Sequence, residues 1–599
     1  MRTNAMTGRR TVAVPARQPI GVWLRESSTG LAVLAVAIGA AAGLGAVLFR
    51  WLIGTFTHFF SGHDDYSAAT GEAHPWFPAL GPWFLLIAPV LAGLVYGPLV
   101  YRFAPEARGH GVPEVMYAVA ERGGRIPAQV TVVKALASAM TIGSGGSVGR
   151  EGPIVQIGSA LGSTFGRWFR LPESRLRVLV ACGAAGGIAA TFNAPMAGPF
   201  FAMELILRDF AVESFGAVVL SSVTASVVGR AVFGDVAFLD LPPFTLRSPV
   251  EYLLFVVLGV VVGACGVLFA KVLYWVEDAC DWVWRGPEWL RPAVGGLLLG
   301  GLLLLVPQMY GVGYPVLQNA VEGEYVLAFL LLLMVAKIVA TSLTIGIGGS
   351  GGVFAPSLFI GAMGGTAFGI AVHTWLPATT ASPGVYGLIG MGAAFAGAAR
   401  APITAVIILF ELTGQYTIIL PLMTAIVVAT LTSKGLLRRD TIYTLKLRRR
   451  GIDLEHHPGP RALAATQVAA VAEPLPQALP VNTPLDAAAR TLALSGHGAL
   501  PVTAPDGRYR GCVTARAVAE ALGDDQNRAA DVSALAELPP LVTGESTLAE
   551  ALDALSRASG TGLPVLDRTT ETLTGWISHE AILAALHPAR RTAVADQHG

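Results

Sequence analysis

What this sequence has least of is charge. Asp, Glu, Lys and Arg make up 14% of its 599 residues, against roughly 25% in a soluble chain. The 41 basic and 40 acidic residues nearly cancel, so no field of one sign points to nucleic acid or to an acidic partner. There are four cysteines, Cys182, Cys265, Cys280 and Cys512, with no paired spacing. That excludes a disulfide framework and a cysteine-built metal site, and leaves small packing residues. The apolar part has no metal-spaced His/Cys cluster, and the serines near Gly143 have no histidine or lysine close in sequence. The chain is therefore read as something other than an enzyme. A cleavable leader is also missing: the first 25 residues carry Arg2, Arg9, Arg10, Arg17 and Arg25 but no apolar stretch ending in a cleavage site.

What is there is apolar. Hydrophobic residues reach 53% and mean hydropathy is +0.59. Leu31–Ile53, Trp83–Phe103 and Glu251–Val276 each meet the roughly 20 residues that a bilayer core demands, and Pro292–Val306 is a shorter candidate. Other apolar runs, Val130–Ile142, Ile154–Trp168, Val178–Thr191 and Pro195–Leu207, are short and interrupted by glycine or proline. They are not expected all to cross as straight helices, and irregular backbone at membrane depth is tolerated only against protein or a wet cavity. A basic cluster, Arg438, Arg439, Lys446, Arg448, Arg449 and Arg450, follows the last apolar segment. With the basic N-terminal arm it predicts both termini in the cytoplasm, an even number of spans and residence in the plasma (inner) membrane.

The organisation shows in a repeat. GSGGSVGREGPIVQIGSALGSTFG (Gly143–Gly166) aligns without a gap on GIGGSGGVFAPSLFIGAMGGTAFG (Gly346–Gly369), at an offset of 346 − 143 = 203. NAPMAGPFFAME, ending at Glu204, aligns on RAPITAVIILFE, ending at Glu411, at 411 − 204 = 207. Glycine packing alone would not keep a proline and a phenylalanine in register. Two interrupted repeats point to a midplane site between inverted halves. The expected fold is an all-α polytopic membrane domain of two inverted repeats with broken helices, over residues 26–450 after an arm of 1–25.

Three segments have the build of a helix start facing an anion: Gly109-His110-Gly111-Val112-Pro113, Gly149-Arg150-Glu151-Gly152-Pro153 and Gly352-Val353-Phe354-Ala355-Pro356. Free N–H donors and a positive dipole end attract an anion without trapping it. A first-turn proline starts the helix without losing a hydrogen bond. Glu151 stands out, since a lone carboxylate in lipid-embedded sequence is functional by default.

At these segments the sequence resembles the CLC family of chloride channels and chloride/proton antiporters, in GREGP, GVFAP and GHGVP. The resemblance extends over nearly the whole chain. It implies chloride as substrate, a lipid-embedded homodimer with one pore per subunit, and Glu151 as a gate that protonation opens. It assigns anion binding to the backbone around Val353, Phe354 and Ala355, to the hydroxyl of Tyr443, and to the loop of His110 and Gly111. His110 departs from the family's usual serine and brings a larger group, neutral or cationic near neutral pH. Glu114 is expected to act as a helix-start carboxylate or ion-pair partner, and Glu204 and Glu411 to hold nearby cations or backbone amides. Family antiporters generally carry a second glutamate where this chain has Leu205. The pattern leans to a passive channel, with antiport as the alternative.

After Arg450 the composition turns soluble. Residues 451–466 read as a linker, 467–523 and 528–588 as two helix–strand–strand–helix units, and 589–599 as a tail. Asp506-Gly507 marks the first unit's hairpin. The units resemble a CBS pair, a small α/β module that often binds adenosine nucleotides. The pair's usual hydroxyl is present as Thr514 and Ser578, but Ala517 and Ala581 stand where ribose-binding aspartates are expected. A structural role is expected. A membrane-anchored nucleotide sensor would need only one or two spans.

Overall fold

The computed structural model describes residues 23–25, 27–234, 246–438, 440–452, 463, 466–523, 531–558, 561–567 and 572–586. Most of the N-terminal arm and of the linker, and the 589–599 tail, lie outside the described residues. The chain divides into two units, Met1–Ile452 and Asp453–Gly599.

The first unit is helical. It comprises α1 (Ser28–Ser61), α2 (Phe84–Phe103), α3 (Val112–Glu121), α4 (Gln129–Gly143), α5 (Glu151–Trp168), α6 (Glu173–Phe192), α7 (Ala197–Phe201) and α8 (Val212–Phe233). It continues with α9 (Glu251–Val283), α10 (Arg291–Leu305), α11 (Tyr314–Glu322), α12 (Leu327–Gly346), α13 (Phe354–Trp375), α14 (Pro383–Ala399), α15 (Pro402–Thr413), α16 (Ile419–Leu437) and α17 (Thr444–Arg449). Among the described residues, nine helices are long and apolar enough to cross a bilayer. Exposed Leu44, Leu48, Trp51, Val260 and Leu268 give α1 and α9 the apolar surface that lipid requires.

Two expected breaks are absent: Ile154–Trp168 lies inside the continuous 18-residue α5, and the second is in α6. Val178–Thr191 lies inside the continuous 20-residue α6. Its glycines serve packing instead. A Cβ on Gly183 would stand 1.9 Å from the Gly158 carbonyl oxygen, and one on Gly158 would stand 2.1 Å from that of Gly183. The same reciprocal contact joins α13 to α14, where a Cβ on Gly361 or Gly390 would meet the other's oxygen at 2.3 or 2.4 Å. Backbone thus packs on backbone at repeat-equivalent places in both halves. Helices α6 and α14 end alike, on left-handed Asn193 (φ 55°) and Arg400 (φ 53°).

The second unit holds two three-stranded sheets, β1-β2-β3 and β4-β5-β6. The first repeat runs β1 (Leu479–Pro480), α18 (Leu485–Ser495), β2 (Ala499–Thr503), β3 (Tyr509–Thr514) and α19 (Ala515–Leu522). The second runs β4 (Val542–Thr543), α20 (Leu548–Ser556), β5 (Gly562–Leu566), β6 (Leu573–Ser578) and α21 (His579–Leu586). In each, the short first strand pairs parallel to the second, and the second pairs antiparallel to the third. The flanks are exchanged. Val468 lies in the core formed by residues 542–582, and Glu473 bridges Trp576. Val532 lies in the core formed by residues 479–521, and Glu537 bridges Cys512.

Candidate anion-binding site

Backbone ties bring the three sequence-predicted loops together. Gly149 N–H donates to the Gly352 carbonyl at 2.8 Å, and Gly352 N–H donates back to Gly149 at 2.6 Å. These residues are repeat equivalents, so the bridge is its own mirror. Gly109 N–H donates to the Gly349 carbonyl at 3.1 Å, and Gly351 N–H donates to Gly109 at 3.3 Å. Side chains repeat the reciprocity. Ser350 N–H donates to Thr141 Oγ1 at 3.3 Å, and Ser147 N–H to Thr344 Oγ1 at 3.2 Å. The loop glycines are needed for this mutual approach. A Cβ on Gly152 would lie 2.2 Å from the His110 carbonyl, and one on Gly352 would lie 2.7 Å from the Gly152 nitrogen.

Two buried lysines brace the assembly. Lys134 on α4 donates to the carbonyls of Ala107 (2.9 Å) and Gly109 (2.7 Å). Its repeat equivalent, Lys337 on α12, donates to the carbonyls of Gly311 (3.2 Å) and Val312 (2.9 Å) and to Ser147 Oγ (2.9 Å). Lys337 thereby marks a fourth loop that the sequence reading missed: Gly311-Val312-Gly313-Tyr314-Pro315, the counterpart of Gly109–Pro113 at 311 − 109 = 202. Both loops turn on a positive-φ glycine, Gly111 (78°) and Gly313 (87°), before a helix with proline second.

The three helix starts differ in what they leave free. In α5 and α13 proline is the third residue, and the first chain-ward bonds come from Ile154 to Arg150 and from Ser357 to Val353, both at 3.1 Å. The N–H groups of Phe354 and Ala355 therefore have no intrahelical partner. In α3, by contrast, Val112 N–H turns back to the His110 carbonyl at 2.9 Å and Glu114 N–H to Gly111 at 3.1 Å. Those amides are consumed in the turn, so the α3 start differs from the starts of α5 and α13.

Glu151 opens α5 with its side chain 1% exposed. Its carboxylate curls back over Gly149, where a Cβ would stand 2.0 Å from Oε2. Oε2 lies 3.4 Å from Ala355 N–H, and Oε1 accepts a 2.7 Å hydrogen bond from the Tyr314 hydroxyl. The carboxylate thus reaches a donor at the start of the other half's helix. Phe354 packs in an aromatic cluster, 5.5 Å from the Phe192 ring and 4.6 Å from that of Phe395. Beyond Glu151 a cleft of about 730 Å³ is lined by Arg50, Arg150, Asp64, Asp65, Arg230 and Tyr314, among others.

His110 and Tyr443 are both buried, with ring centroids 6.2 Å apart. Tyr274 donates its single hydroxyl proton to the Ile442 carbonyl at 2.6 Å, and its oxygen lies 3.3 Å from His110 Nε2. Nε2–H is therefore the donor in that contact, and Nδ1 of a neutral ring is a bare acceptor. Nδ1 is buried without a hydrogen-bond partner among the described residues. Only the doubly protonated ring would offer an N–H to an anion there. Glu114 nearby pairs with Arg450 at 2.8 Å and with Lys446 at 3.7 Å.

The other carboxylates of this unit are held differently. Glu204 accepts from Thr404 N–H (2.8 Å), Thr404 Oγ1 (2.7 Å) and Ile403 N–H (3.2 Å). Glu411 accepts from Met196 N–H (2.8 Å) and Ala197 N–H (2.7 Å). Each caps the other's repeat-equivalent helix. Glu251, fully buried, accepts from Arg247 N–H, Ser248 N–H, Ala381 N–H and Tyr386 Oη at 2.8–3.2 Å. Leu205 is buried in a π-turn, Ala202–Leu207, that continues α7.

In the second unit both sequence-predicted hydroxyls cap helices. Thr514 Oγ1 accepts from Ala517 N–H at 3.1 Å, and Ser578 Oγ accepts from Ala581 N–H at 3.0 Å while donating to Glu473 at 3.0 Å. Ala517 and Ala581 each supply a main-chain amide to the capping hydroxyl and carry no polar side chain of their own.

Residues 92–434 match the family model described as voltage gated chloride channel, and residues 468–524 match the CBS domain. A chloride channel protein of Ralstonia nicotianae, named by its likeness to ClcB, is 34% identical over 407 residues, 67% of this chain and 93% of that protein. The H(+)/Cl(-) exchange transporter ClcA of Vibrio parahaemolyticus is 35% identical over 445 residues, 72% of this chain and 93% of that protein. The structure of a slow cyanobacterial Cl-/H+ antiporter superposes with a TM-score of 0.61 at 27% identity, over 70% of this chain and 97% of that one. A eukaryotic CLC transporter shares the fold over 94% of this chain, with a TM-score of 0.61 at 21% identity. The nine apolar helices among the described residues, two reciprocal halves and these matches lead to one conclusion: the chain is an integral membrane protein of the CLC family of chloride transporters, with a CBS pair at its C-terminal end.

Proposed function

We propose that this protein conducts chloride passively along a route that the Glu151 carboxylate closes and its protonation opens. One observation carries the reading: the carboxylate reaches the Ala355 amide across the seam between the repeats. An anion entering there would compete with it for the same donors. A protonated Glu151 loses the charge that makes it a competitor. Val353, Phe354 and Ala355 then offer amides from one side. Tyr443, Gly111 and His110 offer donors from the other, His110 when doubly protonated. Gly109, Val112, Pro113, Gly149, Arg150, Gly152, Pro153, Gly352 and Pro356 form the loops that hold this geometry.

Leu205 supports the passive reading, because an aliphatic side chain cannot relay a proton. Exchange of chloride for protons is the second reading, favoured by relatives whose names are exchangers. Reversal potentials under a pH gradient separate the two. A channel follows the chloride gradient alone, whereas an exchanger's reversal moves with pH. The protein is further read as a homodimer in the plasma membrane with both termini cytoplasmic, on its basic flanks, and its CBS pair as a brace rather than a nucleotide sensor.

A further inference from the structure

Tyr314 stands outside every filter motif, yet of the side chains described it is the one that donates a short hydrogen bond to Glu151. A carboxylate can only accept, so the phenol proton points at Oε1, and a charge-assisted bond of this kind is about twice as strong as a neutral one. The ring is fixed from two directions. The Arg150 guanidinium lies 5.2 Å from its centroid, and Lys337 pins the carbonyls of Gly311 and Val312 just before it. Positive-φ Gly313 turns the chain so that Tyr314 can start α11. In the first half the equivalent loop carries Val112 at this place, which offers no hydroxyl. Tyr314 and Arg150 also line the cleft of about 730 Å³ described above.

We propose that Tyr314 is the latch of the gate: its hydroxyl holds the charged Glu151 in the closed position and so sets the pH at which chloride passes. This rests on the gating role proposed for Glu151. Tyr314 is a positioning residue, acting on the anion only through that carboxylate. The other groups facing the pair are Arg150 at the helix start, Arg50 on α1, Lys337 on α12 and Tyr443 before α17, with Asp64 and Asp65 across the cleft. Arg150 also shares a hydrogen bond with the Tyr314 hydroxyl, so Tyr314→Phe removes that contact together with the one to Glu151 and leaves every charge in place.

The test is chloride efflux from proteoliposomes as a function of pH, each curve normalised to its own plateau, for the wild type, Tyr314→Phe, Glu151→Gln and the double variant. Loss of the bond disfavours the charged closed form, so the Tyr314→Phe midpoint should move alkaline by about one pH unit. The double variant should be as flat as Glu151→Gln. A Tyr314→Phe midpoint that is unchanged or moves acid, with Glu151→Gln flat, overturns the latch and leaves the gate standing. A Glu151→Gln curve that keeps the wild-type shape removes the gate and the latch together. A double variant that regains pH dependence shows Tyr314 acting elsewhere, and also overturns the latch.

Discussion

Glu204 and Glu411 on one side and Glu151 on the other are all carboxylates serving helix starts in an apolar unit, but their partners differ. Glu204 and Glu411 each take two main-chain N–H bonds across the repeat boundary, and Glu204 adds a threonine hydroxyl. Glu151 has, besides its own main-chain N–H, one phenol and one amide at 3.4 Å. A carboxylate saturated by main chain is a staple, because leaving would strand two amides of a helix start at once. A carboxylate held by one side chain and one long contact can leave. The difference lies in the number and origin of the donors rather than in burial, since fully buried Glu251 is also saturated.

That comparison breaks if the staples gate or the gate staples. The largest effect is expected at Glu151→Gln. Wild-type flux should fall about tenfold per pH unit above the titration midpoint of the carboxyl, whereas the variant should conduct at a level independent of pH. Glu411→Gln should keep the wild-type pH curve, and a flat curve there would put a second gate at a staple. Next in size, Glu204→Gln or Glu411→Gln should cost about 2 kcal/mol of stability, read as lower resistance to heat or denaturant in detergent. Glu151→Gln should cost less than either, and a larger loss would make it a staple. The smallest effect is expected at His110→Ser. Because the neutral ring turns a lone pair toward its unpartnered side, anion binding there should strengthen as pH falls. Serine, whose hydroxyl donates at any pH, should remove that dependence and shift chloride-to-nitrate preference by about 1 kcal/mol, roughly fivefold. Bi-ionic potentials recorded at two pH values check both.

Much of this could be read from the sequence, and the limits have physical reasons. The gapless match of Gly143–Gly166 on Gly346–Gly369 exposed the repeat because glycines in backbone-to-backbone contact admit no substitute. For Glu204 and Glu411 the expectation left cations and backbone amides open, and both accept from amides; Glu114, expected at a helix start or in an ion pair, pairs with Arg450. The Gly311–Pro315 loop escaped because it shares only two glycines and a proline with Gly109–Pro113, at an offset one residue different. A search for G-x-G-x-P would have found it, though nothing local says that Tyr314 reaches Glu151 163 residues away. The glycines of α6 were read as breaks because composition does not separate a glycine that ends a helix from one that lets a neighbour approach. In the CBS pair the two-residue strands at Leu479 and Val542 are too short for any alternation. The exchanged flanks depend on contacts between distant segments and leave no local signal.

The reciprocal bridge between Gly149 and Gly352 has a consequence for how the protein is made. Its partners, like those of Thr141 with Ser350 and Thr344 with Ser147, lie about 200 residues apart in the chain, and closing loops of that length carries a substantial entropic cost. The first half therefore leaves the ribosome with Glu151 and its glycine turns unsupported by their counterparts. No ion-selective opening can exist in the lipid while synthesis is under way, because the parts that would form one meet only when the second half arrives. A chain truncated before Gly352 should be a partly inserted set of helices that leaks no chloride.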